Sequence, residues 1–110
     1  MAIYSNLTVD QGSTFSAYVD VTDADGDALD ITNYTVEGQI RKTYSSLNSV
    51  SFDATISNAL GGTIRLILSD TQTNSMKAGR YVYDVEITSP SGEKTRVLEG
   101  QVEVTPGVTR

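Results

Sequence analysis

The chain has 110 residues, of which 38% are hydrophobic, and a formal net charge of −6, which fits one domain with a modest core. It contains no cysteine and no histidine, so disulfides, thiolate metal sites and histidine acid–base chemistry are excluded. The negative charge disfavours nucleic acid and anionic membranes as partners, because both attract a positive surface.

The start of the chain gives an expectation about cellular location. Residues 1–6 lack the basic segment and apolar core of a secretory signal, and no apolar run approaches the length that spans a bilayer. Because Met1 is present, we expect a complete protein that is not exported.

Seven segments alternate apolar and polar residues, a period of two that is typical of strands with one buried and one exposed face. These segments are residues 3–9, 15–22, 34–42, 50–56, 64–68, 79–88 and 93–104. In the last segment the apolar parity changes between Val97 and Leu98. Such a change predicts a β-bulge or a change of sheet.

Residues 69–77 do not fit a strand. Ser69 or Asp70 can cap a helical turn, Met76 can point inward, and Gly79 is placed to end the turn. The next residues, Gly79 to Tyr83, resemble the tyrosine corner of immunoglobulin-like domains, where a tyrosine hydroxyl bonds to upstream backbone. The pattern thus predicts one short helical turn before the sixth strand.

Together these elements predict an all-β, immunoglobulin-like antiparallel β-sandwich of about seven strands. A small Greek-key barrel is the alternative architecture. We expect a single domain over residues 1–105 and a flexible C-terminal tail over residues 106–110.

An acidic loop is the one cluster with metal-like spacing. Asp23, Asp25 and Asp27, followed by Asp30, alternate as calcium-binding carboxylates can. The EF-hand pattern fails, because glycine stands at the fourth position and Tyr34 at the twelfth. A solvated hairpin with an Asp-Gly turn explains the same residues. We predict that turn, with Asp23, Asp25 and Asp27 as a calcium candidate, and expect no cofactor.

The sequence contains few residues that are placed for catalysis. Serine and threonine are abundant, but no histidine can activate them, and Lys42, Lys77 and Lys94 stand in no Ser–Lys motif. Every acidic residue has a place in a turn or on an exposed strand face, and no nucleophile–base spacing can be named. We therefore predict no catalytic residues and no enzyme activity.

The six tyrosines fall into two groups. Tyr34, Tyr81 and Tyr83 share the parity of inward aliphatic residues and are predicted to lie in the core. The outward or terminal positions belong to Tyr4, Tyr18 and Tyr44. These three are the interface candidates, because exposed tyrosines anchor protein contacts or stack on sugars. A slip of one residue in register would exchange the groups.

Several segments, in chain order, resemble small tail and baseplate proteins of bacteriophages. They are residues 7–15, 23–36, 62–69, 78–85, 92–104 and 108–110. Residues 62–69 follow the pattern G-x-I-x-L-x-L-[ST], and residues 79–84 follow G-x-Y-x-Y-D. Among these proteins, the N-terminal immunoglobulin-like domain of the upper baseplate proteins of lactococcal phages is the one that the chain resembles.

This resemblance implies a non-enzymatic virion structural protein, made in the host cytoplasm and present in several copies or as a homo-oligomer. It would dock to other tail, neck, baseplate or capsid subunits through sheet edges and outward tyrosines. No nucleic acid or membrane partner is expected. The alternative is an adhesion module that binds host-surface glycans through stacked tyrosines.

Overall fold

The computed structural model describes residues 3–108. Its elements are β1 (Ile3–Tyr4), β2 (Leu7–Asp10), β3 (Phe15–Asp20), β4 (Thr35–Arg41), β5 (Val50–Ser51), β6 (Asp53–Asn58), β7 (Thr63–Leu68), α1 (Asp70–Ser75), β8 (Gly79–Thr88) and β9 (Lys94–Thr105). Strands make up 54% of the structure and helix 6%, which confirms the all-β sandwich.

Two sheets face each other across one hydrophobic core. The larger sheet has the order β1–β9–β8–β4–β5, with β2 also paired to β9, and the smaller has the order β3–β7–β6. All neighbouring pairs are antiparallel except β1 and β2, which run parallel to β9. Strands β1 and β2 therefore form an edge of the larger sheet, beside β9.

Two of the predicted strands are each split in two, which gives nine strand segments in place of about seven. The break in residues 50–56 falls at Phe52, because β5 pairs with β4 in the larger sheet while β6 pairs with β7 in the smaller. The N–H of Phe52 donates to the carbonyl of Gly38 at 2.9 Å. This single residue thus carries the chain from one sheet to the other.

The break between β1 and β2 falls at Ser5 and Asn6, where three contacts hold the backbone. The N–H of Ser5 donates to the carbonyl of Glu99 at 2.8 Å, and the Tyr83 hydroxyl donates to the carbonyl of Ser5 at 2.6 Å. A Cβ on Gly100 would lie 2.0 Å from the Ser5 carbonyl oxygen. Only glycine allows this close approach of the edge strand.

The predicted β-bulge in the last strand is confirmed. Val85 pairs with Leu98 and Glu86 pairs with Arg96, so Val97 is the extra residue. Val97 and Leu98 are both buried, because the bulge lets two successive side chains point to the same face.

The helical turn is also confirmed, and Ser69 is its N-cap. The Ser69 hydroxyl accepts from the N–H of Gln72 at 3.2 Å, and the Gln72 side chain accepts from the N–H of Ser69 at 2.9 Å, which is a capping box. Met76 is buried as predicted. The prediction that Gly79 ends the turn is wrong: the extended Met76 is the C-cap, so no left-handed glycine is needed, and Gly79 begins β8.

The core confirms the inward parity of the predicted strands, except that Ile3 is 47% exposed. Its fully buried aliphatic residues are Val9, Ile40, Val85, Ile87, Val102 and Val104 of the larger sheet, Ile64, Leu66 and Leu68 of the smaller sheet, and Ile31 of the connection between β3 and β4. Tyr83 is buried, while Tyr34 and Tyr81 pack against the core. The Tyr81 hydroxyl donates to the carbonyl of Lys77 at 2.7 Å, which confirms the tyrosine corner.

In the described part of the chain, no helix has the length and apolar character to cross a membrane. Strand β9 ends at Thr105, and the N–H of Gly107 donates to the Gln11 side chain at 3.3 Å. The flexibility of residues 106–110 stays a prediction, and residues 109–110 lie outside the described part.

Candidate interaction surfaces

The strands run between two ends of a molecule that measures 43 × 27 × 21 Å. We call the acidic end the surface formed by residues 21–34, 59–62 and 89–93. The basic end is formed by residues 11–14, 42–49 and 69–78. These names refer to the charges that the two ends expose, as the following contacts show.

The acidic end contains a hairpin that closes on its own backbone. A carboxylate oxygen of Asp23 accepts from the N–H groups of Asp25 at 2.9 Å and Asp27 at 3.0 Å. Gly26 takes a positive φ of 85°, which confirms the Asp-Gly turn. Residues 3–108 contain no group of three or more acidic side chains arranged to hold a metal ion. Of the calcium candidates Asp23, Asp25 and Asp27, the carboxylate of Asp23 is thus occupied by the backbone N–H groups of the other two.

A second carboxylate at this end lies beside an exposed apolar side chain. Asp30 accepts hydrogen bonds from the hydroxyl of Thr32 at 2.5 Å and from its N–H at 3.0 Å, which together lower the pKa of Asp30. The N–H of Ile31 donates to the carbonyl of Ala59 at 2.9 Å. This bond places Asp30 close to the turn that carries Leu60, whose side chain is 74% exposed.

Between the sheets at the acidic end lies a pocket of about 260 Å³. Val21, Tyr34 and Ile87 line its apolar part, while Asp23 and Glu93 line its polar part. The pocket therefore adds an apolar recess to a surface that is otherwise dominated by carboxylates.

At the basic end, Arg41 fixes the connection between β4 and β5. Its guanidinium donates to the carbonyl of Ser46 at 2.6 Å and to the side chain of Gln39 at 2.9 Å. The connection exposes Tyr44 by 81% and Leu47 by 97%. Two large side chains with apolar surface are thus presented to solvent on a segment that is tied down.

Beside this connection lies a groove of about 500 Å³, here called the basic-end groove. Its apolar lining comes from Ile40, Leu47, Val50, Met76 and Tyr81, and its cations are Arg41, Lys42 and Lys77. The Lys42 ammonium lies 4.7 Å from the centre of the Tyr81 ring, a cation–π contact. Within residues 3–108 the one ion pair is Arg96 with Asp84, at 3.3 Å. None of the three groove cations therefore has a carboxylate partner in the described part.

Long-range hydrogen bonds brace the basic end. The hydroxyl of Thr73 is fully buried, accepts from the N–H of Gly12 at 3.1 Å and donates to the carbonyl of Ser13 at 2.8 Å. The Gln11 side chain donates to the carbonyl of Met76 at 2.8 Å. These contacts could not be predicted from the sequence, because residues sixty or more positions apart leave no local pattern.

The three interface tyrosines are exposed, but they lie on different parts of the molecule. Tyr4 belongs to β1 at the edge of the larger sheet, and Tyr18 to β3 of the smaller, each 63% exposed. Tyr44 lies on the β4–β5 connection. Ring contacts within residues 3–108 are confined to Phe52 with Phe15 and with Tyr83. The candidates therefore do not form one aromatic platform.

The remaining perturbed side chain has a structural role. Burial raises the pKa of Tyr83 to about 12, since a tyrosinate in the core would lose its hydration. Its hydroxyl is occupied by the Ser5 carbonyl. Tyr83 thus fastens the edge strand.

In comparisons with known proteins, no family model and no curated protein matches the chain. A solved structure of an internalin-like protein from Listeria monocytogenes is similar, with a TM-score of 0.47 and 18% identity. The match covers 96% of this chain and 28% of that chain, so the chain spans little more than a quarter of that protein's length. The resemblance to phage baseplate proteins stays a prediction from the sequence.

Proposed function

We propose that the chain is a non-enzymatic structural subunit of a phage virion that docks to other tail, neck, baseplate or capsid subunits. The observation that carries this proposal is the β4–β5 connection, with Leu47 exposed by 97% and Tyr44 by 81% beside an apolar groove. Arg41 holds the connection in place. Large exposed side chains on a fixed backbone are typical of a docking surface that loses little entropy on binding.

Two further observations support the proposal. The phage-like segments run through most of the chain in order, and the chain offers neither histidine nor cysteine for acid–base or nucleophilic chemistry. Strands β3 and β6 each have a neighbour on one side only. Their free edges can pair with a strand from another subunit.

The positions of the tyrosines favour docking over the glycan-binding alternative. A stacking site for sugars needs aromatic rings on one surface. Tyr18 lies on the smaller sheet, whereas Tyr4 and Tyr44 belong to the larger sheet and its connection.

The test is the protein content of purified virions from a phage that encodes the chain. We expect mass spectrometry to find the protein at a fixed ratio to the major virion proteins, and its neighbouring genes to encode tail, neck or capsid proteins. The variant Leu47→Ser should lower incorporation, because it removes an apolar docking contact. Val108→Ser removes a side chain that is 95% exposed and does not line the groove, and it should leave incorporation unchanged.

Absence of the protein from purified particles would contradict the proposal. A signal on a glycan array from the isolated protein, lost in Tyr44→Ser or Tyr18→Ser, would favour the adhesion module instead.

A further inference from the structure

We propose that the basic-end groove binds the acidic end of a second copy of this chain, so that copies join head to tail. The inference rests on the proposed docking function and names one partner for it. Three features of the described residues carry it: the charges at the two ends, their apolar shapes and the charge of the faces between them.

The two ends carry opposite charges that are not neutralised within the described residues. The groove cations Arg41, Lys42 and Lys77 pair with no carboxylate in residues 3–108, although the whole chain has a net charge of −6. The acidic end exposes Asp23, Asp25, Asp27, Asp30 and Glu93. Asp70 also lies at the basic end but does not line the groove, and Lys94 lies next to the acidic end. The groove itself therefore lacks counter-charges that the carboxylates of a second copy can supply.

The apolar surfaces of the two ends are also complementary, because one end has a projecting side chain and the other has a groove. Leu60 projects from the acidic end with 74% of its surface exposed, close to Asp30 through the bond between Ile31 and Ala59. The groove offers an apolar lining from Met76 and Tyr81 among its cations. An apolar centre with charges around it is the usual arrangement of a specific protein interface.

Contact through the outer face of the larger sheet is disfavoured between copies, because that face concentrates like charges. In the register of the strands, Glu37 lies opposite Glu86 and Asp84 lies opposite Glu99. Arg96, which pairs with Asp84, and Arg80, which lies opposite Glu103, offset only part of this negative charge. Two such faces would repel each other. The head-to-tail contact brings unlike charges together instead, and such contacts generate rings or filaments.

The size of the ends predicts a weak contact. The molecule measures 27 × 21 Å across its long axis, so one end buries less surface than a stable dimer needs. We therefore expect association at high protein concentration, strengthened by repetition within a larger assembly.

The first test is sedimentation velocity of the purified chain over a series of concentrations. We expect association at about 20 mM salt that weakens at about 500 mM, because salt screens the exposed charges. Lys77→Glu should weaken association about two- to fivefold, the range of an exposed ion pair. Arg65→Glu makes the same charge change on the smaller sheet and should have no effect. Circular dichroism verifies that each variant is folded.

A mixing experiment tests the direction of the contact. A groove variant, Leu47→Asp with Lys77→Glu, keeps the acidic end. An end variant, Asp25→Asn with Asp27→Asn and Leu60→Ser, keeps the groove, and its altered side chains make no described contact that closes the turn. Each variant alone should be monomeric. Their mixture should form a one-to-one dimer and no larger species, because only one intact pair of surfaces remains.

Monomers at every concentration in low salt would overturn the inference, as would equal effects of Lys77→Glu and Arg65→Glu, or a mixture that stays monomeric. The proposed function is tested separately by the virion content. A chain that is monomeric yet present in particles would end the self-docking inference alone, and a self-associating chain that is absent from particles would end the virion proposal alone.

Discussion

The N-terminal segment, residues 3–13, and the acidic hairpin, residues 22–28, are both short and lie at the surface, but they are held differently. The hairpin closes through bonds from Asp23 to residues two and four positions away. The N-terminal segment is held by Tyr83 and Thr73, which are 78 and 60 to 61 positions away from their partners. Substitutions in the hairpin should therefore affect the local structure alone. Substitutions at the contacts that hold the N-terminal segment should destabilise the whole fold.

The largest expected effect comes from Gly100→Ala, which should destabilise the protein by about 3 kcal/mol. The new methyl group would lie 2.0 Å from the Ser5 carbonyl oxygen, so the edge strand must move away. Urea unfolding measures the loss. As a control, Gly61→Ala meets only the Asn58 side chain and should cost less than about 1 kcal/mol. Equal losses of stability for both variants would refute the role of the close contact between Gly100 and Ser5.

Thr73→Val should come next, with a loss of about 2 kcal/mol, because it leaves the N–H of Gly12 and the carbonyl of Ser13 without a partner. Thr73→Ser keeps the hydroxyl and should retain most of the stability. Thr71→Val changes an exposed threonine on the same helix and serves as a control. If Thr73→Ser is as unstable as Thr73→Val, the methyl group contributes as much as the hydroxyl, and the hydrogen bonds do not dominate at this end.

Tyr83 predicts a loss of stability in alkali. Burial raises its pKa from 10.0 to about 12, so its contribution is complete below pH 10 and is lost as the pH rises to about 12. Tyr83→Phe should lower stability by about 1 kcal/mol at neutral pH and reduce the alkaline loss. The measurement is denaturant unfolding across that range; identical pH profiles for the two proteins would rule out this role.

The smallest expected effect concerns Asp30 in the acidic end. The hydrogen bonds from Thr32 lower its pKa below 3.8, so its contribution is present above that value and is lost as the pH falls through the lowered pKa. Asp30→Asn should lower stability near neutral pH by a small amount, because the carboxylate accepts the Thr32 hydrogen bonds there. The difference between wild-type and variant unfolding midpoints should shrink in acid. A difference between the two midpoints that grows in acid would contradict a lowered pKa of Asp30 in the folded protein.

Local signals in the sequence were sufficient to predict most of the fold. The change of parity at Val97 and Leu98 predicted the bulge, and Ser69 predicted the helix start, because both depend on residues close in the chain. The split at Phe52 was missed, since residues 50–56 keep one alternation while they change sheets. The pattern of a strand describes its faces and does not identify its partners.

The candidate surfaces were predicted in part. The exposure of Tyr4, Tyr18 and Tyr44 followed from parity and position, and the structure has all three exposed. The groove could not be predicted, because Lys42, Leu47 and Lys77 come together only when the β4–β5 connection lies beside the end of α1. Such a site depends on tertiary packing between distant segments.

The parallel pairing of β1 and β2 with β9 has a consequence for synthesis. Residues 3–10 leave the ribosome well before their partners in residues 98–105. The segment must stay unpaired while the rest of the chain emerges, and closing so long a loop is slow. Until that final pairing, the nascent chain exposes the edge of a strand to its neighbours.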